Sequence, residues 1–93
     1  MHFVYILLSI PRQTYYIGCT DNLTRRLADH NAGRSNYTRH GAPWVLQYLE
    51  EFGTRQEALH REREIKKRKS KQYIRHLIHQ RGTLLVQSAP SRP

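Results

Sequence analysis

The stretch "FVYILLSIPRQTYYIG", residues 3–18, decides the fold. Phe3 to Ser9 is rich in aromatic and β-branched residues and has no polar alternation, which is the pattern of a strand buried on both faces. Ile10 to Gln13 follow as a turn punctuated by Pro11, and Thr14 to Gly18 read as a second strand, so the two make a hairpin. With Ser9 opposite Thr14, Leu7 faces Tyr16 and Tyr5 faces Gly18. Strand side chains alternate with period two, so Tyr5, Leu7, Tyr16 and Gly18 share one sheet face. Gly18 leaves space in front of Tyr5. A slip of one residue would put the two tyrosines on opposite faces.

C-terminal to the hairpin, "NLTRRLADHN" reads as a helix from about Asn22 to Asn31, with Asp21 or Asn22 as N-cap and Gly33 as the stop. Leu23, Arg26, Leu27 and His30 fall within roughly a 100° arc, so an arginine and a histidine share the apolar stripe while Arg25 and Asp29 point outward. Gly33 to Pro43 form a polar, basic loop, and Trp44 to Phe52 a third strand with partial alternation. Thr54 and Glu57 make a T-x-x-E capping box that opens a second helix. On that helix Glu62 lies in the apolar arc of Ala58, Leu59 and Ile65, whereas Arg61 and Glu64 point away. Ser70 breaks the helix and caps a third one, whose stripe is Tyr73, Ile74, Leu77 and Ile78 and whose end is Gly82. These elements predict an α/β (α+β) domain over 1–81, a small three-stranded, mostly antiparallel sheet flanked by three helices, with a flexible tail at 82–93.

Sixteen Lys and Arg stand against seven Asp and Glu, a formal net charge of +9 on 93 residues. A chain this short buries a modest core, so charges on inward faces are costly. Clustered basic charge points to nucleic acid rather than to solubility alone. The single Cys19 excludes an intrachain disulfide and a cysteine-rich zinc site, fits a reducing cytoplasm, and reads as a small buried residue. The N-terminal apolar run is too short to cross a bilayer, so no membrane partner is expected.

The inward charges have a bland reading each. Arg26 can snorkel its head to water, and Glu62 can simply pair with Arg26. The alternative is a site: a carboxylate able to hold Mg²⁺, an arginine suited to a phosphate, and tyrosine hydroxyls able to relay a proton.

Those residues resemble the GIY-YIG endonuclease superfamily. YIG is intact as Tyr16-Ile17-Gly18, and the first half-motif survives as Phe3-Val4-Tyr5. Arg26 stands eight residues after Gly18, His30 one helical turn later, and "EALHREREIKK" looks like the segment that carries the family's glutamate, here Glu62. The likeness covers about Phe3 to Ile78 and is closest to short stand-alone bacterial members related to the excision-repair nuclease. It implies the GIY-YIG fold, a catalytic set of Tyr5, Tyr16, Arg26, His30 and Glu62, and one weakly held Mg²⁺ or Mn²⁺ on Glu62. It also implies metal-dependent, structure-selective DNA cleavage in repair or processing, with Tyr5 accepting the proton of the attacking water. That proton passes onward through Tyr16 or His30 unless the site lowers the tyrosine's pKa. The glycine and isoleucine of GIY are missing. So is the late asparagine of many members, for which Gln72, Gln80 or Gln87 are the available substitutes.

DNA contacts are expected from Arg25, Arg34 and Arg39, and from Arg61, Arg63, Lys66, Lys67, Arg68, Lys69 and Lys71. Phosphate contacts of this kind carry little sequence information, so branched, nicked or single-stranded DNA is the expected target, with RNA not excluded by the residues. The rival reading is a nucleic-acid-binding module with this fold and weak or no cleavage.

Overall fold

A computed structural model describes residues 1–80. Three strands, β1 (His2–Ser9), β2 (Tyr15–Thr20) and β3 (Trp44–Phe52), form one antiparallel sheet in the order β2-β1-β3. The apolar run at 3–9 therefore becomes the central strand, and Val4, Tyr5, Ile6, Leu7 and Ser9 are all buried. The hairpin closes as its sequence requires. Ser9 N–H donates to Thr14 at 2.9 Å, and the register sets Tyr5 against Gly18 and Leu7 against Tyr16.

The helices divide between the two faces. Helix α1 (Leu23–Asn31) covers Tyr5 and Leu7 together with Trp44, Leu46 and Leu49. Helix α2 (Arg55–Arg68) and a third helix, α3, over 71–80, cover Val4, Ile6 and Tyr48 with Ala58, Ile65, Ile74 and Leu77. Each helix starts on the cap its sequence offers. The Asn22 side chain accepts from Arg25 N–H, the Thr54–Glu57 box is closed in both directions, and Ser70 Oγ accepts from Tyr73 N–H at 3.1 Å. Lys69, at φ 50°, ends α2 in the left-handed conformation, and Gly33, at φ 78°, follows α1.

β3 reads with only partial alternation because it changes faces. Ile6 pairs with Tyr48 but Leu7 pairs with Leu46, so Gln47 is an extra residue in a bulge. Leu46 thus joins the α1 side and Tyr48 the α2–α3 side, although they are only two residues apart. The expected helix end at Gly82 and the tail at 82–93, with Gln87, lie outside the described residues.

One orientation differs from the sequence reading. Arg61 does not point away. It turns onto β3, where its Nε and Nη2 hold the Glu50 carboxylate at 3.1–3.2 Å, while Nη1 reaches Glu64 at 2.7 Å and Tyr73. Tyr48 Oη also donates to Glu50. Burial works against the Arg61 charge, but these partners more than offset it and its pKa is raised. Asp29 points outward as read and pairs there with the exposed Arg34 at 3.0 Å.

Candidate active site

The site grows from the face shared by Tyr5, Tyr16 and Gly18. A Cβ on Gly18 would collide with Tyr5 Oη, so the ring tip of Tyr5 occupies the space that glycine leaves. There the hydroxyl meets His30, delivered by the last turn of α1, with Oη and Nε2 3.0 Å apart. The other ring nitrogen, Nδ1, lies 2.7 Å from Thr38 Oγ1 in the loop between α1 and β3. His30 and Thr38 are both fully buried.

Arg26 stands one turn before His30, and its interaction with the Tyr5 side chain raises its pKa. In a neutral His30 one ring nitrogen donates and the other accepts, so Tyr5, His30 and Thr38 form one continuous hydrogen-bonded chain. Burial pulls the His30 pKa below its ordinary value, with Arg26 adding to the effect, so the imidazole is neutral at physiological pH. Tyr5 moves the other way. Burial pushes its pKa up to about 12, against the pull of Arg26.

Tyr5 is 1% exposed. It is a poor candidate to meet bulk water from this position, because α1 and the central position of β1 enclose it. Tyr5 and His30 form an inner wall of the site. The half-buried Tyr16, on the edge strand, is the more open tyrosine. Its ring lies 4.8 Å from that of His30 and edge-on to Trp44. It does not stand in the hydrogen-bonded chain from Tyr5. Beside Arg26 opens a cleft of about 420 Å³, lined also by Arg25, Asp21 and Asp29.

Glu62 approaches from α2. Its side chain is 15% exposed and pairs with Lys66 at 3.0 Å, not with Arg26. Its charge is felt at Tyr5 and at Cys19. Cys19 is half-buried, and its thiol is pushed up first by burial and then by Glu62. Among the described residues no three His, Cys, Asp or Glu side chains cluster as metal ligands. A single part-open carboxylate suits a hard, weakly held divalent cation that keeps much of its water shell, and does not suit zinc.

The sequence gives no signal for Thr38, because a loop threonine has no pattern to betray it. The same holds for Asn31, whose amide ties both the N–H and the carbonyl of Trp44, at 2.6 and 3.1 Å, and so fixes where β3 begins. Of the substitutes for the missing asparagine, Gln80 lines a separate cleft with Tyr48, Glu50 and Arg61, and Gln72 is exposed on α3. Of the expected DNA contacts, Arg61 is committed to Glu50 and drops out. Arg25, Arg34, Arg39, Lys66, Lys67 and Lys69 are exposed, Arg34 by 68% despite its ion pair.

With this geometry in view, the GIY-YIG catalytic domain family matches residues 1–75. The chain belongs to the GIY-YIG family. Its GIY-YIG domain is similar to UPF0213 proteins. One from Halobacterium salinarum is 43% identical over 67 residues, covering 71% of this chain and 86% of that one. Another, from Staphylococcus haemolyticus, is 44% identical over 66 residues, covering 70% and 79%. The solution structure of a UPF0213 protein from Bacillus halodurans matches with a TM-score of 0.56 and 28% identity over 98% of each chain. GIY-YIG catalytic domains are nuclease domains, and the sheet with three helices is that fold.

Proposed function

We propose that this GIY-YIG domain is a metal-dependent endonuclease that cleaves DNA phosphodiesters with selectivity for structure over sequence. The observation that carries the reading is the buried chain Tyr5–His30–Thr38, which spends three buried polar side chains on a wall beside the Arg26 guanidinium and its open cleft. A folded core this small gains nothing from that arrangement that an apolar set would not give more cheaply. A guanidinium so held is a preorganised donor for phosphoryl oxygens, worth on the order of 10²–10³ in rate.

Glu62 would hold one Mg²⁺ or Mn²⁺, which when bound offsets the charge of the leaving oxygen. The protein's own groups do the rest. Tyr16, at the open side, orients the attacking water and relays its proton to solvent, its oxygen accepting that proton as its own leaves. Arg26 donates to the phosphoryl oxygens and offsets the negative charge that develops on them. Tyr5 and neutral His30 hold Arg26 in place, so their part is positioning. The exposed Arg25, Arg39, Lys67 and Lys69 bind backbone phosphates, an interaction that weakens with salt.

The deciding comparison is wild type against Glu62→Ala, with cleavage and binding of branched, nicked and single-stranded DNA measured in Mg²⁺ and in Mn²⁺. Cleavage should vanish while binding persists. In the same assay Tyr16→Phe should lose at least a hundredfold in rate, and Tyr5→Phe less. If wild type cuts none of these substrates yet binds them, the domain is a binding module.

A further inference from the structure

Tyr37 is 91% exposed. No hydrogen bond or ring contact among the described residues involves its side chain. The residues around it are tightly fixed. Thr38 N–H and Arg39 N–H both donate to Ser35 at 3.2 and 3.0 Å. The Thr38 carbonyl accepts from the Trp44 indole at 2.7 Å and from Gly41 N–H at 3.0 Å. The Thr38 hydroxyl is held at His30. Tyr37 is thus an aromatic ring presented to solvent on a braced turn, with its immediate neighbour built into the active-site wall. Arg34, Arg39 and His40, all exposed, surround it in sequence.

We infer that Tyr37 is a stacking platform for an unpaired DNA base, so that the substrate carries a single-stranded segment next to the bond that is cut. This deepens the nuclease reading and rests on it. A solvent-facing ring gains by covering its face with another flat π-system, and its backbone loses little entropy because the turn is already ordered. The flanking cations supply the backbone attraction that such a strand needs, and every base has a face to offer, so the contact selects unpaired DNA without reading sequence. Bases inside an intact duplex have no face to give. Tyr37 therefore discriminates a flap, gap or branch from plain double helix.

The experiment compares wild type, Tyr37→Ala and Tyr37→Phe by fluorescence anisotropy in EDTA, so that no strand is cut. The probes are a blunt duplex, the same duplex with a five-nucleotide 5′ flap, oligo-dT, and oligo-U of equal length. Tyr37→Ala should weaken flap and oligo-dT binding by about five- to a hundredfold, with Tyr37→Phe close to wild type and the blunt duplex changed less than about twofold. Because Tyr37 is exposed, thermal unfolding should not move, which separates the effect from misfolding. Equal loss on all probes, or no loss on flap and oligo-dT, overturns the inference while leaving the nuclease reading intact. So does a Tyr37 dependence seen with oligo-U alone. Failure of wild type to bind any DNA overturns both.

Discussion

Gly18 decides more than any other single residue. The Tyr5 hydroxyl sits where its side chain would be, so Gly18→Ala must push Tyr5 off His30 or spread the two strands. We expect a loss of roughly 1–3 kcal/mol in urea denaturation, together with a fall in cleavage rate, because Arg26 loses its seat on Tyr5. An unchanged unfolding midpoint would refute the contact. Gly18, Tyr5 and Tyr16 were legible from the sequence because strand parity and a short turn fix which residues face each other. The link from His30 to Thr38 was not. It spans a loop whose path is set by Asn31, Trp44 and Gly41, and no periodicity connects those residues. The burial of Tyr5 was half legible. A central strand implies it, but the chemistry carried over by resemblance pointed to an open tyrosine.

Among the elements, α2 shows where pattern reasoning stops. Its cap, its apolar residues and its end before Ser70 all follow from residue type. Arg61 does not, because helical angles place it off the apolar arc while β3 supplies a carboxylate within reach. Long side chains find partners outside the arc that a helical wheel assigns them. Arg61→Ala should therefore destabilise the domain by about 2–3 kcal/mol, since Glu50 is left only part-exposed with its main cation gone. Glu64→Ala, at the exposed end of the same network, should change the urea midpoint little. If the two variants behave alike, the Arg61–Glu50 bond is not what joins α2 to β3.

For the molecule as a whole, burying a neutral histidine ties folding to pH. The His30 pKa in the native state lies below its ordinary value, so below about pH 6.5 the unfolded chain binds a proton that the folded chain refuses. Stability is full above that pH and is lost as pH falls from there toward the lowered native value. The melting temperature should be flat from pH 7 to 8 and decline between pH 6.5 and 5, above the range where most carboxylates titrate. His30→Gln should flatten that decline, and a decline of the same size in His30→Gln would show that His30 is not its source.

The extra residue in β3 has a consequence of its own. A strand normally serves one master on each side, odd residues for one layer and even residues for the other. At Gln47 the count slips by one: before it the even residues Trp44 and Leu46 face α1, and after it the odd Leu49 faces α1 while the even Tyr48 and Phe52 face α2 and α3. Gln47 works as a phase shift in the chain's packing code. Losing that one residue would invert every assignment on one side of it, whereas the nearby loop between α1 and β3 carries no such parity. Length at that point of β3 is as much a part of the information as the side chains it carries.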